Sequence, residues 1–318
     1  GEDPVLVSEI SKAFIKGLQG DHPKYYKVLS APKHFVANNE EYRRHSGSSE
    51  VPMKILRDYY LPAFKSSIVD AGAQSIMTAY NALNGIPCTA NTFLLQDILR
   101  NEWQFPGWVV TDCGAIYDIY VNHKYVNDPV EAVALSLKAG TDLNCGSYFR
   151  LHLKDAFDQG LVTMEEIDQA LLRIFVTRIK LGVFDPPSMN PYSKISKDVV
   201  DSKPHKELAH EIALQSIVLL KNENDVLPLQ KSIKSVAVIG PNANFCRFGT
   251  YSGKSSINIT PLEGVKSMIP DANITYSQGT TILETELPTM PDNLFYTPDG
   301  SPGVKAEYFK GFNIKREP

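Results

Sequence analysis

The sequence predicts an α/β protein in which a parallel β/α domain is followed, after a linker, by part of a second α/β domain. In residues 1–182, short apolar runs alternate with amphipathic stretches, as in parallel strands connected by helices. Residues 183–203 are rich in Pro, Ser and Lys and lack a sustained apolar period, which is typical of a linker. In residues 204–302, strand and helix patterns alternate again.

The first domain has four apolar runs that are predicted to be buried strands. These runs are residues 27–31, 74–80, 108–111 and the short run 141–143. Helical patterns lie between and after them, at residues 51–69, 93–103, 129–139, 151–159 and 164–181. Thr163 is placed to cap the last helix, and Gly140 directly after Ala139 fits a helix end.

The second domain is predicted to begin with a helix over residues 204–221, because Pro204 suits a first helical turn. A strand over SVAVIG, a helix over residues 260–269 and a strand over residues 273–276 follow. Pro and Gly become frequent from residue 285, which indicates another junction. Residues 303–318 alternate like a strand that begins a further domain.

Composition excludes several classes of protein. Hydrophobic residues make up 43% and charged residues 21% of the 318 residues, which is an ordinary folded composition. The formal net charge is −4, without a long block of one sign, which argues against a nucleic-acid-binding protein. No apolar run approaches the roughly 18 to 20 residues that a membrane helix needs. No nucleic-acid or membrane partner is therefore expected.

The four cysteines, Cys88, Cys113, Cys145 and Cys246, lie far apart, with no CxxC and no zinc-like spacing. We expect free thiols rather than a disulfide scaffold, and no metal site. Cys88 and Cys145 both fall in loops on the predicted active face, where they could approach each other.

Polar side chains follow each of the four predicted strands. They are Lys33 and His34, Tyr80 and Asn81, Asp112, and Asp142 and Asn144. In parallel α/β folds, working residues lie at the carboxyl ends of strands, in the loops before the following helices. A cation, an imidazole, a phenol and carboxylates at one mouth suit a hydroxyl-rich neutral ligand such as a sugar.

Asp112 is the strongest single candidate, because it directly follows the buried run WVVT. An acid in this place could instead cap the next helix or form a buried pair with Lys33. Equally, Lys33 and His34 could form an ion pair, and Tyr80 could belong to the core. The polar groups at all four strand ends favour a functional site over these separate structural roles.

Several segments resemble glycoside hydrolase family 3, both in sequence and in order. They are GEDPVL, APKHFVANNEEYRR, SIMTAYNALNGIP, GWVVTDCGAI and AGTDLNCG, followed by IALQSIVLLKNENDVLPL and VAVIGPNA. The tail KAEYFKGFN resembles the first strand of the protective-antigen-type β-sandwich that some members carry inserted in their second domain. The resemblance covers nearly the whole chain.

The resemblance implies a partial (β/α)8-type barrel over residues 1–182 and part of an α/β sandwich domain over residues 204–302. The first strand of an inserted β-sandwich would occupy residues 303–318. A complete barrel takes about 250 residues, so we expect this chain to be the middle of a longer enzyme that would not fold or act as an isolated segment. Family members of this type usually act outside the cytoplasm, which implies a secreted or periplasmic protein.

The activity that the resemblance implies is that of a retaining exo-β-glycosidase, which acts on β-linked oligosaccharides through a covalent glycosyl-enzyme. Asp112 matches the family's nucleophile. Lys33 and His34 match the pair that binds sugar hydroxyls, Tyr80 matches the residue beside the nucleophile, and Arg44 matches an arginine of the same subsite. Because Arg43 adjoins Arg44, the match of Arg44 to the family's arginine is the least defined of these matches. No cofactor is implied, since the reaction needs only carboxylates and water.

The resemblance assigns no acid/base residue within this chain, since in members with the inserted sandwich that residue lies beyond the insertion. The sequence features that bear on the identity of the sugar point to two different sugars. Cys113, which we predict to bind substrate, stands where many glucosidases have Trp. This Cys and the LNCG stretch resemble xylosidases, whereas the NNEEYRR loop and the inserted sandwich resemble glucosidases. We place β-glucosidase slightly ahead of β-xylosidase.

Two readings from other classes remain. A non-catalytic carbohydrate-binding or scaffold protein would fit the missing acid/base residue. A metal-dependent hydrolase on a (β/α)8 barrel is disfavoured, because the sequence shows no cluster of His and Asp ligands.

Overall fold

A computed structural model describes residues 1–253, 255–280, 296–297 and 299–301. The chain divides into two compact units, the first Gly1–Ile195 and the second from Ser196 onward. Each unit is described by itself. The predicted strand over residues 303–318 lies outside the described residues.

The strands of the first unit are short. They are β1 (Ser48–Ser49), β2 (Ser75–Met77), β3 (Ala82–Leu83), β4 (Ile86–Pro87) and β5 (Trp108–Val110). β2 and β5 run parallel with Ser75 opposite Trp108, while β1 pairs in parallel with β3, which forms an antiparallel hairpin with β4. The strands β2 and β5 therefore confirm two of the four predicted strands, with narrower bounds.

Two further segments extend the β2–β5 pair on either side. Phe35 forms a parallel bridge with Thr78, and Leu143 forms one with Val110. Their backbone hydrogen bonds are ordinary: Phe35 N–H donates to Met77 O over 2.8 Å, and Thr111 N–H donates to Leu143 O over 3.0 Å. Four parallel segments thus lie side by side in the order residues 32–35, β2, β5 and residues 141–143.

The strand predicted at residues 27–31 is wrong in its position. Lys27 N–H donates to the carbonyl of Gln19 over 2.8 Å, and the preceding Tyr26 N–H donates to the carbonyl of Lys180 over 2.9 Å. Both carbonyls lie at helix ends, where backbone acceptors have no partner within the helix. The chain satisfies these helix ends first and joins the parallel row only from Pro32, whose carbonyl accepts from Met77 N–H over 3.1 Å.

Seven α-helices are described in the first unit. They are α1 (Pro4–Gln19), α2 (Met53–Ile55), α3 (Pro62–Lys65), α4 (Ala115–Val121), α5 (Pro129–Ala139), α6 (Tyr148–Asp158) and α7 (Met164–Lys180). Helices with π-type hydrogen bonding cover Leu56–Tyr60, Ser66–Asp70 and Phe93–Glu102. All five predicted helices of this unit are confirmed, the first as consecutive α- and π-segments from Met53 to Asp70.

The helix ends follow the capping signals in the sequence. Thr163 and Glu166 form a reciprocal capping box at the start of α7, which confirms the predicted cap. Gly140 ends α5 with a φ of 111°, a conformation that side chains with a Cβ rarely adopt. The sequence analysis missed α1, although Asp3 accepts from Val5 N–H over 2.8 Å and Pro4 occupies its first turn.

The core of the first unit consists of two clusters. One surrounds β2 and β5 and includes the fully buried Phe35, Ile76 and Val109. The other joins α4 to α7 and includes the fully buried Ile116 and Val133. The parallel row and the helix that follows β5 are therefore both anchored in apolar packing, which holds the loop between them.

The second unit contains α8 (Lys203–Ser216), β6 (Ser235–Ile239), α9 (Pro261–Met268) and β7 (Asn273–Ser277). β6 and β7 are parallel, with Ser235 opposite Asn273, so the predicted strand–helix–strand order is confirmed. The predicted helix over residues 204–221 ends early, because Ile217 takes an extended conformation (φ −78°, ψ 125°), which suits β-branched residues.

Short 3₁₀ turns occupy much of the predicted linker and the loop before β6. They are Pro187–Met189, Pro191–Lys194, Lys197–Val199 and Glu223–Asp225. Within the described ranges, the sheets are small and open. The mixed α/β class is therefore confirmed, while the barrel, the sandwich domain and the inserted β-sandwich remain predictions.

Candidate active site

Asp112 lies two residues after β5, at the carboxyl edge of the parallel row. Its Oδ2 lies 3.1 Å from Nε2 of His34, and its Oδ1 accepts the backbone N–H of Cys113 over 2.7 Å. The side chain is 11% exposed. The structure thus brings the predicted Asp112 and His34 into direct contact at this edge.

The contacts of Asp112 stabilise its charged form. Burial opposes ionisation, but the hydrogen bonds from His34 and from the Cys113 amide outweigh it, so the pKa of Asp112 lies below its ordinary value. At neutral pH the group is therefore an anion. A carboxylate held in this way can serve as a nucleophile.

Tyr80 borders Asp112 on the neighbouring segment that follows β2. Its hydroxyl donates to the carbonyl of Cys113 over 2.8 Å. Burial and the nearby charge of Asp112 raise the pKa of Tyr80 to about 12, so the phenol keeps its proton and remains a donor. The guanidinium of Arg44 lies 5.1 Å from the centre of the Tyr80 ring, a cation–π distance.

His45 joins this group, although the sequence analysis did not select it. Its ring centre lies 4.3 Å from that of Tyr80, and its Nδ1 lies 2.7 Å from Oδ2 of Asp118. Asp118 is buried on α4, a helix that was not predicted. Recognition of α4 would have placed Asp118 one turn beyond Gly114, in the helix that follows the loop of Asp112.

Lys33 directly precedes His34 and is exposed. The peptide bonds Lys33–His34 and Phe35–Val36 are both cis. The neighbouring Arg44 forms an ion pair with Glu41, Nη1 to Oε1 over 2.6 Å. Lys33 and His34 belong to the segment of residues 32–35 and Tyr80 follows β2, while Arg44 joins them through its contact with the Tyr80 ring.

Asp142 was expected at the same mouth, but the structure places it elsewhere. Its Oδ2 accepts from Arg100 and from Val109 N–H, each over 2.8 Å, and its Oδ1 accepts from Arg173 over 2.8 Å. The side chain is 1% exposed. Two guanidinium groups and a backbone amide fill its acceptor sites, so Asp142 is part of the framework rather than of the site.

Asn81 and Asn144 are also structural, contrary to the expectation for the strand ends. Asn81 is buried and donates to the carbonyls of Val36 over 3.2 Å and Ala82 over 2.9 Å. Asn144 accepts from Tyr148 N–H over 2.9 Å at the start of α6. Buried backbone groups require partners, and these amides supply them.

The expectation of free thiols is wrong for two of the four cysteines. Cys113 and Cys145 form a disulfide with a Cα–Cα distance of 4.4 Å. The pairing considered between Cys88 and Cys145 does not occur, since Cys88 is buried with a free thiol. Cys246 is free as well. Cys113, predicted as a substrate-binding residue, is thus available to a ligand only as half of a disulfide.

A cavity of about 440 Å³ opens beside the loop that follows Asp112. Its lining includes the disulfide residue Cys113, polar side chains and two tyrosines: His45, Cys113, Gly114, Tyr117, Asp118, Asn122, Gly146, Ser147 and Tyr148. Apolar ring faces combined with polar side chains suit a ligand with both hydroxyl groups and C–H surfaces.

Two observations bear on other chemistries. In the part of the chain that the structure describes, no three His, Cys, Asp or Glu side chains come together to hold a metal ion. Among the same residues, no helix is both long enough and apolar enough to span a bilayer.

The fold and the site together define a class: an α/β protein with an ionised carboxylate at the carboxyl edge of a parallel row, beside an imidazole, a phenol and a guanidinium. Comparison with known proteins makes this specific. Residues 1–177 match the glycosyl hydrolase family 3 N terminal domain, and residues 217–307 match the glycosyl hydrolase family 3 C-terminal domain. The chain belongs to glycosyl hydrolase family 3.

Individual relatives agree with this assignment. The chain is 37% identical to a xylan 1,4-beta-xylosidase of Xylanibacter ruminicola, an alignment that covers 100% of this chain and 38% of that protein. A solved structure described as a GH3 exo-beta-xylosidase (XlnD) in complex with a xylobiose aziridine activity-based probe superposes with a TM-score of 0.83 at 37% identity. The superposed region covers 88% of this chain and 37% of the chain in that structure.

Glucosidases are among the structural neighbours too. The structure of a β-glucosidase from Erythrobacter marinus superposes with a TM-score of 0.80 at 32% identity, covering 90% of this chain and 38% of that one. The chain therefore spans well under half the length of each of these relatives, and the activity of the whole protein is a matter for proposal.

Proposed function

We propose that the protein is a retaining exo-β-xylosidase that removes β-D-xylosyl residues from the non-reducing ends of oligosaccharides. This proposal reverses the sequence-based order of the two sugars. The relative from Xylanibacter ruminicola and the neighbour with the highest TM-score quoted above are both named xylosidases. The absence of a Trp after Asp112 points in the same direction.

The observation that carries the proposal is the environment of Asp112. Its Oδ1 accepts the Cys113 amide over 2.7 Å, its Oδ2 lies 3.1 Å from His34 Nε2, and it stands at the carboxyl edge of the parallel row. A retaining glycosidase needs an ionised carboxylate that attacks the anomeric carbon from an open face. Asp112 meets both requirements.

The other predicted residues take binding roles. Lys33 and His34 hold hydroxyl groups of the terminal sugar, Arg44 lines the same subsite, and Tyr80 keeps the loop of the nucleophile in place. No residue of this chain is assigned as the general acid/base. Because the reaction consists of carboxylate attack followed by hydrolysis, it requires no cofactor.

Covalent trapping tests the proposal. A 2-deoxy-2-fluoro-β-xyloside with a good leaving group should accumulate as a glycosyl-enzyme on Asp112, within the tryptic peptide from Asn101 to Lys124. Fragmentation of that peptide distinguishes Asp112 from Asp118. The Asp112→Asn variant is the control and should stay unlabelled. A label on any other residue would remove Asp112 from its role.

β-Glucosidase is the second candidate, because the Erythrobacter marinus neighbour bears that name. A pocket discriminates a missing hydroxymethyl group by about 1 to 3 kcal/mol. Paired values of kcat/KM on aryl β-xyloside and aryl β-glucoside therefore decide between the two, and we expect the xyloside to be favoured at least about tenfold. Binding of xylobiose without turnover of either substrate would instead indicate a carbohydrate-binding protein.

We also propose that the protein works outside the cytoplasm, in a secreted or periplasmic location. The Cys113–Cys145 disulfide supports this location, since disulfides persist mainly in oxidising compartments. Cell fractionation with an antibody against the chain tests it. Recovery of the protein in the cytosolic fraction with both thiols reduced would contradict it.

A further inference from the structure

The Cys113–Cys145 disulfide lies directly behind the nucleophile. Cys113 is the residue after Asp112 and begins the turn from β5 into α4, while Cys145 belongs to the loop that follows the adjacent segment, residues 141–143. The bridge therefore connects the two loops that leave neighbouring parallel segments. It does so at Cys113, whose amide donates to Asp112 Oδ1.

The backbone polar groups of both cysteines are engaged in this region. Cys113 N–H donates to Asp112 Oδ1 over 2.7 Å, and Cys113 O accepts from the Tyr80 hydroxyl over 2.8 Å. Cys145 N–H donates to Thr111 Oγ1 over 3.0 Å, and Cys145 O accepts from Gly114 N–H over 2.9 Å. The bridge thus closes a ring of contacts around the peptide unit that carries the Asp112 donor.

The turn that carries this donor is held by backbone hydrogen bonds as well as by the bridge: Ala115 N–H donates to Asp112 O over 3.1 Å, and Gly114 N–H donates to Cys145 O over 2.9 Å. Gly114 takes a left-handed φ of 86° and has open space where a Cβ would stand, and α4 begins only at Ala115. Glycine is the residue with the greatest backbone freedom. Because the second of these hydrogen bonds joins Gly114 to the Cys145 loop, we expect loss of the bridge to release that loop and to loosen the hold of the Cys113 amide on the Asp112 carboxylate.

We propose that the Cys113–Cys145 disulfide is a positioning element for the nucleophile, which holds the Cys113 amide on Asp112, so that its reduction slows the glycosyl transfer to Asp112. The proposal rests on the proposed function only in giving Asp112 the nucleophile's role. The cysteines contact the carboxylate through a backbone amide and take no chemical part in the reaction.

The bridge is open to reducing agents. Cys113 is exposed and lines the cavity beside the nucleophile loop, and Cys145 is half-buried. A dithiol such as dithiothreitol can therefore reach it, and two electrons and two protons pass to the two sulfurs as the dithiol closes to its own disulfide. Cys88, by contrast, is buried, and burial raises the pKa of its thiol to about 12, which leaves it unreactive.

The first arm of the test measures kinetics in the protein as its gene encodes it. In the double variant Cys113→Ala/Cys145→Ala, the amide remains but the bridge is lost. Its kcat on an aryl β-xyloside should fall about tenfold or more, because a misplaced attacking group loses at least that much rate. KM should stay within about twofold, and the acidic limb of kcat/KM should move to higher pH.

Reduction and reoxidation of the parent protein give the same result without mutation. Dithiothreitol should lower kcat to the level of the double variant, oxidised glutathione should restore it, and the double variant should not respond to either. Cys246→Ala is the matched control, since this free thiol lies in the second unit, and it should behave like the parent throughout. Loss of the circular dichroism signal in parallel with activity would overturn the proposal, because the disulfide would then stabilise the fold as a whole.

The second arm does not depend on turnover. The pKa of Asp112 is measured from the ¹³C shift of its carboxyl carbon, assigned by comparison with Asp112→Asn, in the oxidised and the reduced protein. His34 and Tyr80 are the side chains that act on Asp112, and both samples contain them unmutated. We expect the pKa to rise on reduction, and an unchanged pKa would overturn the proposal. If the parent protein hydrolyses no glycoside but this pKa still rises, the proposed function fails while the positioning role stands.

Discussion

Asp112 and Asp142 follow neighbouring segments of one parallel row, yet their surroundings differ in kind. Asp112 contacts one imidazole and one backbone amide, and 11% of its side chain is exposed. Asp142 is 1% exposed and is bound by Arg100, Arg173 and the Val109 amide. Asp112 therefore keeps acceptor sites that are free at the edge of the row, whereas donors within the protein fill the acceptor sites of Asp142.

The difference shows what separates a reactive carboxylate from a structural one at a strand end. Position along the strand is similar for both, and both are held by donors. What differs is the number of full positive charges nearby, because a carboxylate clamped by two guanidinium groups is a poor nucleophile. A buried ion pair or triad also leaves a costly uncompensated charge when one partner is removed. The following predictions test this division of labour.

The largest expected effect is on catalysis at Asp112. Asp112→Asn removes the attacking oxygen anion. It keeps the shape of the side chain and an oxygen that accepts the Cys113 N–H. We expect kcat on an aryl β-xyloside to fall roughly 10⁴-fold, while the variant keeps a cooperative unfolding transition in urea. Asp97→Asn, at an exposed position of the helix Phe93–Glu102, is the matched control and should keep full activity. Normal turnover by Asp112→Asn would show that Asp112 is not the reactive carboxylate of the pair.

The second effect is on stability at Asp142. Asp142→Asn leaves the guanidinium of Arg100, itself 10% exposed, without its counter-ion. We expect the free energy of unfolding to fall by about 3 to 5 kcal/mol, as measured from the midpoint of urea unfolding. If stability is unchanged while activity is lost, Asp142 belongs to the site and the two carboxylates are not divided as proposed.

Much of this division could be predicted from the sequence, and part of it could not. The run WVVT predicted β5 and placed Asp112 at its end, since strand periodicity and burial are local properties of the sequence. Thr163 and Gly140 likewise predicted the start of α7 and the end of α5, because capping is a local interaction.

The roles of Asp142 and the pairing of Cys113 with Cys145 required tertiary structure. Arg100 and Arg173 lie 42 and 31 residues from Asp142, and the two cysteines are separated by 32 residues. Nothing local in the sequence signals such contacts. The same limit contributes to the misplaced strand at residues 27–31, because the preceding Tyr26 N–H is bound by the carbonyl of Lys180 at the end of the distant helix α7.

A smaller effect is expected at Tyr80, which connects the nucleophile loop to β2. Its pKa of about 12, due to burial and the Asp112 charge, keeps the hydroxyl protonated, so Tyr80→Phe removes a donor to Cys113 O. We expect kcat/KM to fall on the order of tenfold, which corresponds to about 1.4 kcal/mol. Tyr125→Phe, at an exposed tyrosine, should leave kcat/KM unchanged. An equal effect of both changes would contradict a specific role for Tyr80.

The smallest effect concerns the pH dependence of stability at Asp112. Its pKa is lowered in the folded protein, because the hydrogen bonds from His34 and Cys113 outweigh burial. A carboxyl group with a depressed folded pKa adds stability above its unfolded pKa, near 3.9, and loses that contribution as the pH falls through the folded value. The difference in unfolding free energy between the parent and Asp112→Asn should therefore increase as the pH rises from below the folded pKa of Asp112 to above its unfolded pKa, and then stay level.

The sign of that difference separates the two possible origins of the Asp112 environment. If donors dominate, as the contacts indicate, the parent gains relative to Asp112→Asn as the pH rises through the acidic range. If burial dominates, the parent loses over the same range, because the folded state would then prefer the neutral acid. Urea midpoints of the two proteins at several acidic pH values measure this sign. A loss would mean that Asp112 is neutral over part of the acidic range in which a nucleophile has to be charged.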